Sequence, residues 1–255
     1  MISFIDRVKA AEHETLFWLG QAGFLIKTAD GKRIAIDPYM SDYTEKMCGT
    51  PGYKRLNPPP CDAEELCIDA LLISHEHEDH LDMDSMAAFF AYAPMQAYCS
   101  MPTYKKLEAW GADMSRVHLL QMNVPVELCG GVTLMPLDCD HGPNTPDALG
   151  FLLTMPSGKT VYYTGDSSLS PDRLQKAVEA KPELALVPIN GAFGNMNGEE
   201  AAQYAAMLGC KKCMAYHFWT FANHHGDPGL FLEAMEQHAP ECQPVLLCHG
   251  EGLEL

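Results

Sequence analysis

The sequence predicts an α/β fold in which helices cover the faces of β-sheets. Two observations carry this reading. Short apolar runs of strand length alternate with helix-like segments along the whole chain. A unit of strand, glycine turn and strand also occurs twice, about half the chain apart. The chain has 255 residues, 47% of them apolar, which is material for one large domain or two small ones around a sizeable core.

In chain order, Thr15 to Leu19 and Phe24 to Lys27 read as strands around a Gly20 to Gly23 turn. Asp30-Gly31 is a hairpin signal, Arg33 to Ile36 the next strand, and Asp37-Pro38 its end. Tyr39 to Pro60 is rich in Gly, Pro and polar residues and reads as a long loop, either functional or a solvated connection. Ile68 to Ile73 is a buried strand, Asp84 to Tyr92 a helix, Gln96 to Cys99 a strand and Thr103 to Trp110 a helix. Val117 to Leu120, Val124 to Leu128 and Val132 to Leu137 are β-like.

The chain then repeats itself. Gly23-Phe24-Leu25-Ile26 recurs as Gly150-Phe151-Leu152-Leu153, and Gly31-Lys32 recurs as Gly158-Lys159 at the same offset. The second strand of each unit leads into an aspartate, Asp37 in one and Asp166 in the other. This points to a single domain, 1–255, made of two similar halves, about 1–135 and 136–255; independent hairpins with the same turn chemistry are the alternative. The second half continues with a helix from Pro171 to Ala180 and a strand from Leu184 to Ile189. Asn197 and Glu200 form a capping-box pattern at the head of a helix through Leu208. A strand from Lys212 to Tyr216, a helix from Asp227 to His238 and a strand from Pro244 to Leu247 complete the chain.

The chemistry concentrates after the buried strand, in Ile-Ser-His-Glu-His-Glu-Asp-His-Leu-Asp from Ile73 to Asp82. His75, His77, Asp79 and His80 fall within six positions. In extended chain, residues i and i+2 point the same way, so His75 and His77 can present imidazoles to one point. Asp79 and His80 follow where the chain turns and can face a second point. Imidazole and carboxylate are the usual ligands of zinc and of harder first-row metals. Three further candidates stand just past strand ends: His141 in Asp-Cys-Asp-His-Gly-Pro, Asp166 in Thr-Gly-Asp-Ser and His217 in Ala-Tyr-His-Phe-Trp.

His-x-His-x-Asp-His followed by these three residues resembles the signature of the metallo-β-lactamase superfamily. The resemblance implies two divalent metal ions, manganese or zinc, with iron also admissible. His75, His77 and His141 would hold the first, Asp79, His80 and His217 the second, and Asp166 would bridge them. Asp37 resembles the aspartate that orients a ligand histidine in that superfamily. Trp18-Leu19-Gly20-Gln21-Ala22-Gly23-Phe24, Asp37-Pro38-Tyr39, the stretch Asn190 to Asn197, and His217-Phe218-Trp219 resemble its ascorbate-6-phosphate lactonase-like (UlaG-like) branch. That branch implies an αββα sandwich of two mixed β-sheets flanked by helices, and lactone hydrolysis. The reaction so implied is attack by a metal-bridging hydroxide on a small, sugar-derived lactone, with or without a phosphate. Asp79 would pass a proton to the leaving alkoxide. A metal-dependent phosphodiesterase or nuclease, and a non-catalytic metal-binding protein, are the other readings.

Candidates for substrate binding are Lys54 and Arg55 in the long loop, Asn190 and Trp219 in the motifs just quoted, and His225. Lys54-Arg55 is either a phosphate grip or a solvent-facing pair. His224, His225 and His249 have either a role at the site or none, and Cys139 needs no role as a buried thiol. Cys210-Lys211-Lys212-Cys213 has knuckle spacing without a second such pair. Ten cysteines scattered along a chain with no secretion signal are expected to be free thiols. A formal charge of −17 disfavours a nucleic-acid partner and leaves a small-molecule substrate. No segment approaches the roughly 18 apolar residues of a membrane span, so a cytoplasmic protein is expected. A homo-oligomer is compatible with the sequence.

Overall fold

The computed structural model describes residues 2–255. The first part of the chain forms α1 (Phe4–Ala10), β1 (Thr15–Gly20), β2 (Gly23–Lys27), β3 (Arg33–Ile36), α2 (Tyr43–Cys48), β4 (Ala70–Ile73), α3 (Met86–Ala91), β5 (Gln96–Cys99), α4 (Met101–Trp110) and β6 (Val117–Leu119). There follow β7 (Val126–Glu127), β8 (Thr133–Asp138), β9 (Leu149–Thr154), β10 (Thr160–Tyr163), α5 (Gln175–Ala180), β11 (Leu184–Pro188), α6 (Gly198–Leu208), β12 (Lys212–Tyr216), α7 (Pro228–His238), β13 (Gln243–Val245) and β14 (Gly252–Glu254). The chain divides into two compact units. The first holds the chain through Leu120 with Leu128–Gly131 and Cys248–Leu255, and the second holds Gln121–Glu127 and Val132–Leu247.

Each unit contains one mixed seven-stranded sheet, flanked by helices. In the first the order is β14-β1-β2-β3-β4-β5-β6, with the first three pairings antiparallel and the last three parallel. In the second it is β7-β8-β9-β10-β11-β12-β13, with the same succession of senses. The repeated hairpins also share their register. Phe24 faces Ile36 and Ile26 faces Ile34 across β2 and β3, as Phe151 faces Tyr163 and Leu153 faces Val161 across β9 and β10. The likeness therefore extends beyond the hairpin to the whole sheet, further than common turn chemistry would carry it.

The first unit's core shows why its helices sit where they do. Phe4, Ile5 and Val8 of α1, Met86 and Phe89 of α3 and Leu107 of α4 join one apolar cluster with Phe17, Leu19, Leu25, Ala35, Leu71, Ile73 and Ala97. The strand residues in that cluster are spaced by two within each strand, as one face of a sheet requires. In the second unit α6 buries Ala201, Ala202, Tyr204, Ala205 and Leu208, and α7 buries Phe231, Ala234 and Met235. A Cβ on Gly198 would come 2.8 Å from the amide nitrogen of Phe231, so the start of α6 approaches α7 as closely as glycine permits.

Three elements go beyond the sequence expectations. The opening residues form α1, capped by Ser3, whose hydroxyl accepts from the amide of Asp6. The 39–60 segment contains α2, stopped by Gly49 at φ 60. The C-terminal tail returns as β14 and pairs with β1, Leu253 opposite Leu16. Other elements shift. The run from Val124 keeps only β7, because Gly130 and Gly131 turn the chain at φ 66 and 70. Pro171–Arg173 is a 3-10 turn before α5, and the strand expected at 244–247 is β13. All ten cysteines are free thiols, half of them buried. Cys210 Sγ lies 3.5 Å from Cys242 Sγ. No helix among the described residues is long and apolar enough to cross a membrane.

The capping box is present: the side chain of Asn197 accepts from the Glu200 amide, and the Glu200 carboxylate accepts from the Asn197 amide, both at 2.9 Å. Asn197→Ala removes one side of this exchange and is expected to cost about 1 kcal/mol, a fall in melting temperature of about 2–4 °C. Thermal denaturation followed by circular dichroism measures it, and an unchanged midpoint would show that α6 is held by packing alone.

Candidate functional site

In the first unit the site grows from the parallel pairing of β3 with β4. Beyond the last paired residues the amide of Asp37 donates to the Leu72 carbonyl at 2.9 Å, bringing Asp37 beside Ser74. Asp37 is fully buried at φ 43, in the left-handed region that aspartate enters more readily than most residues. Its Oδ1 accepts from the Ser74 amide at 2.8 Å, and its Oδ2 accepts from the Ser74 hydroxyl at 2.5 Å and from His80 Nδ1 at 2.7 Å.

A carboxylate only accepts, so His80 Nδ1 carries a proton, and in the neutral ring Nε2 is the acceptor. The Ser74 hydroxyl has spent its proton on Asp37, so it accepts from His75 Nδ1 at 2.9 Å, which makes Nε2 the acceptor atom of the neutral His75 ring. That atom lies 3.1 Å from Nδ1 of His77. Asp37, His75 and His80 each offer an atom within 4.8 Å of the others. Asp79 Oδ2 stands 3.8 Å from His80 Nε2 and accepts from Gln21 Nε2 at 2.8 Å. Asp82 closes the loop. It accepts from the Met40 amide and from the Ser41 and Ser85 hydroxyls.

In the second unit His141 follows β8, Asp166 follows β10 and His217 follows β12 at φ 64; all three are buried. Asp166 Oδ2 lies 3.1 Å from His217 Nε2 and 4.0 Å from His141 Nε2. The same oxygen accepts from Asn195 Nδ2 at 2.8 Å. His217 stacks on His224, ring centroids 4.8 Å apart and planes at 21°. Beneath them the buried Tyr216 hydroxyl donates to the Gly165 carbonyl at 2.6 Å, and burial raises its pKa well above the usual tyrosine value. Tyr216 therefore braces the Asp166 loop as a neutral phenol.

The chemistry of the donor set fits divalent ions. Ligands about 2.1 Å from a tetrahedral ion stand roughly 3.4 Å from each other. The donor pairs here are separated by 3.1, 3.8, 3.1 and 4.0 Å, on either side of that value. Imidazoles and carboxylates that are largely buried and already oriented by hydrogen bonds are what such an ion needs.

The substrate candidates lie in varied settings. Lys54 is exposed. Arg55 is half-buried over the Tyr39 ring, 4.8 Å from its centroid, and donates through Nη1 to the Tyr39 carbonyl and through Nε to that of Asn57. Its Nη2 is buried and has no protein hydrogen-bond partner. Burial lowers the Arg55 pKa and pushes His249 down to about 4, with the Arg55 charge the second cause, so His249 is neutral at pH 7. Burial likewise pushes Tyr39 up to about 12. Asn190 is buried and its amide donates to Ala192 O at 3.3 Å, while His225 is exposed. Trp219 is 55% exposed and Phe193 59%, at φ 58 and 57. The Phe193 ring lies 5.2 Å from that of His224, and the Trp219 amide donates to the His224 carbonyl.

Sequence reasoning passed over Gln21, Ser74, Asn195 and Phe193. Amides and hydroxyls have no ligand-like spacing to betray them; only the positions of Gln21, Asn195 and Phe193 inside recurring motif stretches could have drawn notice.

Residues 32–218 match the model of the β-lactamase superfamily domain. The metal-dependent hydrolase (UPF0173) of Herpetosiphon aurantiacus is 28% identical over 247 residues, covering 93% of this chain and 96% of its own. That of Caldivirga maquilingensis is 28% identical over 242 residues, covering 94% and 97%. Among solved structures, Igni18, a metallo hydrolase of Ignicoccus hospitalis, shares the fold with a TM-score of 0.73 at 23% identity, covering 94% of this chain and 97% of its own. An isothiocyanate hydrolase from Delia radicum gut bacteria does so with a TM-score of 0.75 at 20% identity, covering 94% and 98%. The match spans most of the sequence and takes in six of the seven histidines and aspartates together with His217 at its edge: the chain belongs to the metallo-β-lactamase superfamily, among its hydrolases.

Proposed function

We propose that this protein is a metal-dependent hydrolase of esters, acting on a small, sugar-derived lactone with or without a phosphate. The observation that carries the reading is the set of donors at strand ends, all buried but the half-buried His77. His75, His77, Asp79 and His80 in one unit and His141, Asp166 and His217 in the other all follow strand ends. Within each unit the donor atoms are already spaced as ligands. The ligands we propose are His75, His77, Asp79 and His80 in the first unit and His141, Asp166 and His217 in the second. Divalent ions held there would lower the pKa of water toward neutrality and polarise the scissile carbonyl.

The chain's own residues do the remaining work. Asp37 fixes His80 directly and His75 through Ser74, so the hydrogen bonds at Nδ1 orient both imidazoles and turn Nε2 toward the proposed ions. Asp79 is the one ligand carboxylate in the His-rich loop; it takes the proton given up by the attacking water oxygen and passes it to the departing alkoxide. Trp219, with Phe193 beside His224, offers an apolar rim to the substrate ring, and Asn190 and His225 offer polar contacts. Arg55, whose buried Nη2 has no protein hydrogen-bond partner, is the cationic donor we assign to a substrate phosphate, with Lys54 next to it in sequence. The lactone preference is supported by the likeness of the Trp18–Phe24 and Asn190–Asn197 stretches to lactonases of the superfamily. The acidic chain speaks against a nucleic-acid substrate.

A hydrolysis screen of metal-reconstituted protein against lactones, phosphodiesters and β-lactams tests the reading; turnover of phosphodiesters alone would replace it. Elemental analysis should find about two divalent ions per chain, and full activity with one equivalent would remove the two-ion assignment.

Asp166→Ala and Asp37→Ala should separate. The first removes a proposed ligand carboxylate. The second keeps every ligand and loosens His80, and losses of that kind cost about 10–100-fold in affinity or activity. Asp166→Ala is therefore expected to lower kcat far more than Asp37→Ala, with both variants folded by circular dichroism. Equal effects would take Asp166 out of the ligand set. Arg55→Ala is expected to raise KM about tenfold or more for a phosphorylated lactone and to leave it unchanged for the unphosphorylated one. Equal KM values for wild type and variant on the phosphorylated substrate would sink the phosphate assignment.

A further inference from the structure

Two buried carboxamides, one in each unit, hold the two carboxylates that the proposed function makes ligands. Gln21 lies in the turn between β1 and β2, fully buried at φ 49. Its Nε2 donates to Asp79 Oδ2 at 2.8 Å, across 58 positions of sequence. Its main-chain carbonyl accepts from Trp18 Nε1 at 3.0 Å. The glycines on either side leave the turn no room to relax. A Cβ on Gly20 would lie 2.9 Å from the His249 ring, and one on Gly23 would lie 3.1 Å from the Gly20 carbonyl and 3.2 Å from that of Asp37.

Asn195 lies between β11 and α6, and its Nδ2 donates to Asp166 Oδ2 at 2.8 Å. Its loop is pinned by main-chain bonds from Asn195 to Ala192, from Met196 to Ser167 and from Gly191 to Met196, at 3.0, 3.0 and 2.9 Å. A buried amide is costly to desolvate, and a site that asked only for volume would be filled by Leu or Met. The amide nitrogen donates without carrying charge, so it fixes a carboxylate's orientation while leaving its negative charge for a cation.

We propose that Gln21 and Asn195 are positioning residues. Each holds its carboxylate, Asp79 or Asp166, in the orientation that ligates metal, the same device in both units. The inference rests on the metal-centre reading above. Titration with Co²⁺, followed by its visible d–d absorption, tests it on the full chain, with the melting temperature of the metal-free protein measured beside it. Gln21→Met and Asn195→Leu keep bulk and remove the donor. Gln21→Glu and Asn195→Asp keep shape as well and place a second acceptor against the carboxylate.

We expect each of the four variants to bind Co²⁺ about 10–100-fold more weakly with an altered absorption band, the size of effect usual when a ligand's supporting hydrogen bond is lost. Affinity and spectrum equal to wild type in the folded Glu and Asp variants overturn the proposal. So does a fall in melting temperature with the Co²⁺ spectrum unmoved, since that is a packing role. Asp79→Ala and Asp166→Ala run in parallel. If they too bind Co²⁺ like wild type, the ligand assignment itself fails; if they lose binding while the carboxamide variants keep it, only the positioning role fails.

Discussion

An imidazole can be a reliable ligand only when its other nitrogen is committed, and in this protein that commitment begins at Asp37. Its carboxylate takes the Nδ1 proton of His80 directly and, through the Ser74 hydroxyl, settles that of His75. Both rings then favour the tautomer in which Nε2 is the acceptor. Asp37 reaches this position because β3 and β4 run parallel and end together, Ile36 opposite Leu72. The sheet register therefore fixes the tautomers. A slip of one residue between the two strands would turn every side chain to the other face and separate Asp37 from both histidines.

The second unit solves a similar problem with the same sheet. Its strands follow the same succession of senses, and Asp166 follows β10 as Asp37 follows β3. The two aspartates have nevertheless diverged in use. Asp37 is enclosed by Ser74 and His80, which consume its acceptor sites. Asp166 Oδ2 faces His217 at 3.1 Å and takes one amide bond, from Asn195. One position in a repeated framework has thus become a support for ligands and its counterpart a candidate ligand. The difference comes from the loop: Gly165 at φ 69 carries the chain two residues further before Asp166 turns in.

Residues whose physics is local and periodic were legible in the sequence. The β2–β3 and β9–β10 hairpins, the capping box at Asn197 and the α/β alternation follow from spacing and turn chemistry. His75, His77, Asp79 and His80 were visible because ligand-type residues seldom crowd so closely after a buried run. The missed elements depend on distant partners. The three-residue β14 carries little signal of its own and is defined by pairing with β1 some 240 positions earlier, Leu253 with Leu16. Gln21 is an ordinary turn residue until Asp79 is brought to it. Arg55 reads as a free cation in sequence, whereas two of its three nitrogens are bound to main-chain carbonyls.

Backbone strain marks the same loops from another direction. Gln21, Asp37, Phe193, His217 and Trp219 all have φ between 43 and 64, outside the range most side chains adopt. For aspartate and histidine the cost is modest, but bulky Phe and Trp are not expected there without a reason. The rigid sheet below supplies the compensation: Phe151, Tyr163 and Tyr216 stack in succession with centroids 6.0 and 5.2 Å apart, fully buried. Such a stack adds stabilisation beyond the area it buries. It can hold the His217 turn in a conformation the turn would not choose alone. Loop residues held this way need little reorganisation when a ligand arrives, which is the advantage of placing strained turns at the ends of well-packed strands.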